Sequence, residues 1–287
     1  LIATGDRNQG DDAVATALLG AARAVRKGKT VGEAMAARVP ESPDDLTAAN
    51  IAEQILNVAY EDAPGLVAVD SATFPAFQRN YAARQRKALA SAGFRHLTDA
   101  EAVGMTRTLG QRTLLGFYAD DSGATTVDTF ALKPKWPGFV AFLLLALTGK
   151  WKNHTMTECT TLFDDGGFLM TQYENLSPFG YGNAVDIERL PRSTAVAALV
   201  ARHRERVAVY VQAHPQARAL PASDLAGIET NIRRGQAIKR AYRRSIGYVS
   251  DGELRGMLCG HYDRFAAKIR RKLVELAPDR EESDVSG

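Results

Sequence analysis

Two β-rich runs, each interrupted by a double aspartate and a glycine, constrain this chain most. Gln111 to Tyr118 and Thr125 to Leu132 flank Asp120-Asp121-Ser122-Gly123, and Thr155 to Phe163 and Phe168 to Tyr173 flank Asp164-Asp165-Gly166-Gly167. Asp and Gly supply the positive φ angles that a tight hairpin turn requires. Both hairpins fall in the middle of the chain, between helical stretches. The expected fold is therefore α+β, with a central antiparallel sheet built from the two hairpins and covered by N- and C-terminal helices. The likeness of the hairpins is either a distant internal repeat or common turn chemistry, and turn chemistry suffices to explain it.

The helical stretches follow from apolar spacing. One runs from about Asp11 to Arg26 and a short one from Val31 to Arg38. The next follows Pro43-Asp44-Asp45 and places Ile51, Ile55, Val58 and Ala59 on one face. Leu66-Val67-Ala68-Val69 reads as a short buried strand. Pro75 to Ala92 reads as a helix with Phe77, Tyr81 and Leu89 inward. Gly138 to Leu147 is the greasiest run, half the ~20 residues a membrane span needs, and is expected to be the most buried helix. Asn175 to Arg192 is too rich in Gly, Pro and Asn for a period and reads as a loop. From Ser193 onward the chain is helical. Ser223-Asp224 opens a helix reaching Tyr248, and Ser250 opens a last one carrying Leu254, Leu258, Tyr262, Phe265, Ile269, Leu273 and Leu276. Glu281 to Gly287 is an expected frayed tail.

The 287 residues are read as a single α+β unit, because the middle strands need apolar cover from both flanks. The alternative boundary lies at 175–192, leaving helices plus sheet in 1–175 and a basic helical part in 193–287. A composition of 45% hydrophobic and 24% charged residues excludes wholesale disorder. Two cysteines exclude a disulfide framework, and Cys159 and Cys259 are expected to be buried free thiols. Leu1 to Arg7 has no apolar core segment, so the opening residues are not expected to act as a signal peptide. The expected location is the cytoplasm, as a soluble protein or as the soluble part of a protein whose membrane anchor preceded Leu1.

Charge is the strongest positional signal. Residues 188–287 hold 19 basic and 12 acidic side chains, whereas residues 1–187 hold 17 and 21. Arg233, Arg234, Lys239, Arg240, Arg243 and Arg244 fall within twelve residues, with Arg233, Arg240 and Arg244 on one helical face. Lys268, Arg270, Arg271 and Lys272 form a second cluster. Such clusters neutralise phosphates or an anionic membrane surface, or else form a solvated face covering apolar neighbours.

The candidate catalytic residues are His154 and Glu158, which face one way in a strand because strand side chains alternate. With no third ligand identifiable, no metal is assigned, and no cofactor is expected. A cross-strand polar pair is the competing reading. Asp120, Asp121, Asp164 and Asp165 offer carboxylates at one sheet edge, although turn chemistry accounts for all four. His203 lies in Arg202-His203-Arg204-Glu205-Arg206 and is expected at the surface. Cys259 and His261 point apart on a helix and form no pair. No phosphate loop, serine elbow or zinc-helix motif is present.

The run Thr157-Glu158-Cys159-Thr160-Thr161-Leu162-Phe163-Asp164-Asp165-Gly166-Gly167-Phe168-Leu169-Met170-Thr171 is similar to a segment of uncharacterised bacterial proteins, some membrane-anchored; it carries over no activity. The leading expectation is a non-enzymatic binding or regulatory protein holding an unknown protein or anionic macromolecule. The first alternative is an enzyme with a dispersed site around His154 and Glu158. The second is weak, sequence-insensitive binding of nucleic acid or anionic membrane by the basic helices.

Overall fold

The computed structural model describes residues 42–285 apart from 62, 105, 107–109, 134–153 and 175–178. The expected helices at Asp11–Arg26 and Val31–Arg38 and the greasy run at Gly138–Leu147 lie outside the described residues. The fold is mixed α+β around a seven-stranded sheet whose spatial order follows the sequence. Its strands are β1 (Leu66–Ala68), β2 (Arg95–Ala102), β3 (Leu114–Ala119), β4 (Thr126–Leu132), β5 (His154–Leu162), β6 (Phe168–Tyr173) and β7 (Asp186–Leu190). All neighbours pair antiparallel except β6 and β7, which run parallel.

The two hairpins are β3–β4 and β5–β6, but they make only the middle of the sheet. β2 was not legible because Arg95–Ala102 contains Asp, Glu and Ala, poor strand formers whose pairing on both sides overrides propensity. β7 corrects the expected loop at 175–192. Its sequence Asp-Ile-Glu-Arg-Leu is held extended by parallel pairing with β6.

The helices are α1 (Pro43–Ala59), α2 (Ala76–Ser91), α3 (Val196–Ala213), α4 (Leu225–Ser245), α5 (Asp251–Leu258) and α6 (Tyr262–Val285). α2 and α3 pack on one sheet face, where Leu89, Leu199 and Val200 bury against Tyr118, Val127, Cys159 and Tyr173. In α2, Tyr81 and Leu89 are buried, and the expected third inward residue, Phe77, is only half-buried under the Lys133 ammonium. In α1 the buried stripe is Ala48, Ala52, Ile55, Leu56 and Ala59. Val58 is exposed, because the stripe continues through Leu56 rather than through it.

α4 reaches the opposite sheet face by way of residues 217–222. That segment crosses both hairpin turns at one end of the sheet: Asp164 N–H donates to the Arg218 carbonyl (2.9 Å), Leu220 N–H to Leu162 (2.8 Å) and Ala222 N–H to Gly123 (2.9 Å). Asp224 then caps α4 by accepting from Gly227 N–H at 2.8 Å. Midway along α4, Gly235 allows close approach to the sheet, since a Cβ there would lie 2.8 Å from Phe168 Cε1.

α1, α5 and α6 share a separate apolar cluster containing Ile55, Leu56, Leu254, Leu258, Ile269 and Leu273. The single last helix expected from Ser250 onward is two helices. A 3-10 turn at Cys259–His261 separates them, with Cys259 at φ 48°. The second basic cluster is largely committed to ion pairs: Lys268 and Arg271 reach Asp44 and Asp45 of α1, and Arg270 reaches Asp251. Among the described residues no helix is long and apolar enough to cross a membrane.

Candidate functional site

Strand alternation sends Thr126, Asp128 and Phe130 of β4, and Met156, Glu158 and Thr160 of β5, to the face beneath α4. The register aligns Asp128 with Glu158, Glu158 with Gln172 of β6, and Gln172 with Arg189 of β7. A polar row therefore crosses four strands. Above and below it lie apolar side chains: Phe130 pairs with Met156, and Thr160 with Met170 and then Ile187.

α4 does not close on this row. A cavity of about 340 Å³ remains, roofed by Ile228, Ile232, Gly235, Gln236 and Lys239 and walled by Phe179 and Tyr181. The exposed Glu61 contributes to its rim. Asp128 and Glu158 are half-buried, and both line the cavity.

The electrostatics of this pair are unusual for a strand. Desolvation pushes the Asp128 carboxyl well above its ordinary range, and the Glu158 charge opposite pushes it further; Lys239 partly offsets both. Glu158 is also raised by desolvation, and is opposed by Lys239, a Thr160 hydroxyl bond and Arg189. Like charges facing each other across strands are unfavourable, so the dyad ionises in two steps and holds its last proton to higher pH than a lone carboxyl. Thr160 donates to Glu158 Oε1 at 3.4 Å. No side chain among the described residues donates a hydrogen bond to Asp128. Lys239 makes no ion pair with either acid; its Nζ lies 5.5 Å from the ring centres of both Phe168 and Tyr181.

Glu158 lines the cavity, and His154 stands at the first position of the same strand, with a side chain outside the described residues. It divides the basic cluster of α4. Lys239 faces the cavity. Arg233 and Arg234 are exposed, with Arg233 paired to Glu229 at 3.4 Å. Arg240 and Arg244 stack over Tyr60 at 5.5 and 5.3 Å. Arg243 is 1% exposed and faces inward, where it forks onto Glu253 at 2.8 and 2.9 Å and donates to the Gly180 carbonyl. It therefore presents no charge to a phosphate, which corrects its place in an anion-binding surface.

Two further expectations are corrected. His203 is 0% exposed rather than at the surface. Its Nε2 lies 2.9 Å from Thr161 Oγ1 and its Nδ1 2.9 Å from Thr171 Oγ1, so both ring nitrogens are satisfied under the sheet. Burial, reinforced by nearby Arg206, depresses its pKa to about 3. Cys159 is buried as expected, but Cys259 is exposed, and both are free thiols. The turn aspartates serve the turns. Asp120 accepts from the Ser122 hydroxyl, Asp164 from Arg218 N–H, and Asp165 from Gly167 N–H and the Tyr210 hydroxyl. Among the described residues no three His, Cys, Asp or Glu side chains cluster as a metal site.

Asp128, Gln172 and Arg189 escaped the sequence reading. A signal existed for Asp128: an aspartate in the centre of the β-rich run Thr126-Val127-Asp128-Thr129-Phe130 is costly in a strand and calls for a reason. Gly235 within a helix was a second signal, marking where a helix approaches another element closely. Comparison with protein-family models, with curated proteins and with solved structures gives no match to this chain.

Proposed function

We propose that this protein binds a small, largely apolar molecule between the sheet and α4, and fixes the polar group of that molecule with the Asp128–Glu158 dyad. The observation that carries this reading is the combination of an apolar-walled cavity with a few convergent polar groups, two of them with displaced pKa values. Structural carboxylates in a strand normally face solvent or a partner cation; here they face an open chamber. The binding role agrees with the leading expectation from sequence, with a small molecule in place of a macromolecular partner.

An uncharged environment-sensitive dye, N-phenyl-1-naphthylamine, tests the reading. Its fluorescence should rise on adding the protein. Thr160→Trp, which fills the chamber from β5, should weaken dye binding by about tenfold or more, the loss expected when an apolar ligand forfeits roughly 1.5 kcal/mol of burial. Equal dye binding by Thr160→Trp and the unaltered protein would contradict the proposal.

A second reading has one specific observation in its favour. Two facing carboxyls that titrate in separate steps can serve as acid and base in turn. On that reading Glu158 keeps the role expected of it, and Asp128 takes the place given to His154. Turnover of any cavity ligand that disappears in Glu158→Gln while ligand binding persists would favour catalysis over simple binding.

A further inference from the structure

Charge and hydrogen bonding within the cavity narrow the class of ligand, given the binding role above. Asp128, Glu158 and Glu61 contribute to the chamber three carboxyls, and Lys239 one ammonium; the exposed Arg189 lies at the far end of the row and donates to the Phe179 carbonyl at 3.1 Å. Enclosed charges are stable only when paired and hydrogen-bonded. Asp128 has no side-chain donor among the described residues, and Lys239 stands off from both acids. The Asp128 carboxyl, bonded to its own backbone N–H and to no side chain among the described residues, thus keeps acceptor capacity where it lines the chamber.

The walls point the same way. Lys239 Nζ rests 5.5 Å from the faces of both Phe168 and Tyr181, so the chain already places one alkylammonium against aromatic rings beside carboxylates. Aromatic faces attract cations, and more strongly where water is scarce. Lys239 is in effect a tethered example of the chemistry the chamber accepts.

We infer that the ligand is an organic cation, a protonated amine on an apolar body, whose ammonium donates to Asp128 and Glu158 while its body occupies the space beneath Ile228 and Ile232. An anionic amphiphile is disfavoured, since its head would face the dyad. A neutral alcohol would satisfy Asp128 with one hydrogen bond but, carrying no charge, would do nothing to favour the ionised dyad over the form that keeps its last proton.

Calorimetric titration with three ligands of similar shape tests this: 2-phenylethylamine, 2-phenylethanol and 3-phenylpropanoate. The amine should bind roughly tenfold to a hundredfold more tightly than the alcohol, the ratio expected of a hydrogen bond between charged groups, and the acid should bind most weakly. Asp128→Asn should erase the preference for the amine, with Glu158→Gln as the second variant should Asp128→Asn lose cooperative unfolding. Lys239→Met should strengthen amine binding, because a competing ammonium is gone. The inference is overturned if the alcohol or the acid binds as tightly as the amine, or if the preference survives in both acid variants. If the naphthylamine dye binds and the amine shows no preference, only the ligand class fails. If neither the dye nor any of the three ligands binds, the binding role fails with it.

Discussion

Replacing Arg243 with Ala is expected to destabilise the protein by roughly 3–5 kcal/mol, the cost of leaving a buried carboxylate without its cation. Urea denaturation would measure it. Arg243 is held at 1% exposure between Glu253 and the carbonyls of Gly180 and Tyr248, with its guanidinium 4.7 and 4.8 Å from the rings of Phe179 and Tyr181. Glu253 is equally committed. It completes the capping box of α5 with Ser250 and accepts from Gly180 N–H at 2.8 Å. The pair therefore ties α4, the start of α5 and the loop before β7 together. Arg234→Ala, nine residues earlier in the same basic run but exposed, should change stability by no more than about 0.5 kcal/mol. Equal effects of the two substitutions would mean that the Arg243 ion pair contributes nothing.

The second large effect concerns His203. Its folded pKa of about 3 lies below the ordinary 6.5, so the unfolded chain takes up a proton in a range where the folded chain does not. Protonation then favours unfolding: stability contributed by the neutral ring is full above pH 6.5 and is lost as pH falls toward 3. Between pH 7 and pH 4 the loss from this one group amounts to about 3 kcal/mol. His203→Gln carries no titrating ring, so its stability should fall less over the same interval by about that amount. Denaturant midpoints at pH 7 and pH 4 for both proteins supply the comparison, and parallel pH profiles would remove His203 as the acid-sensitive group. Carboxyls held below their usual range, such as Asp99, where the effect of burial is outweighed by hydrogen bonds from His96 and Arg86, contribute to acid sensitivity in both proteins and cancel in the difference.

These two residues show what the sequence could and could not disclose. Local periodicity and turn chemistry were sufficient for the hairpins. A double aspartate followed by glycine has few other uses, and Gly123 and Gly166 take φ values of 73° and 90°. Periodicity also located α1, α2 and α4 to within a few residues. It failed for β2 and β7, whose extended form comes from neighbours in the sheet rather than from their own side chains. It failed for His203, because three flanking arginines suggested solvent, whereas Arg206 itself turns in to donate to the Met170 carbonyl and Thr171 hydroxyl.

The candidate site was half legible. Glu158 was singled out because it shares a strand face with His154. The carboxylate that faces it, Asp128, stands thirty positions earlier in the other hairpin. Only the register between β4 and β5 sets the two side by side. Register depends on which hairpin lies next to which, and no local pattern encodes it. The basic run misled for a related reason. Six cations within twelve residues of a helix point in all directions, and what each one meets is decided by the sheet, α5 and Tyr60.

The central claim is that the chamber between α4 and the polar row is where this protein takes its ligand. Methyl NMR tests it most directly, with labelled Met and Ile side chains and 2-phenylethylamine or the naphthylamine dye as titrant. Met156, Met170, Ile187, Ile228 and Ile232 line or flank the chamber, while Ile55 and Ile269 belong to the cluster of α1 and α6. The account predicts saturable shifts in the first group with Ile55 and Ile269 unmoved. Saturable shifts centred on Ile55 and Ile269, or no shift in any chamber methyl at saturating titrant, would contradict it.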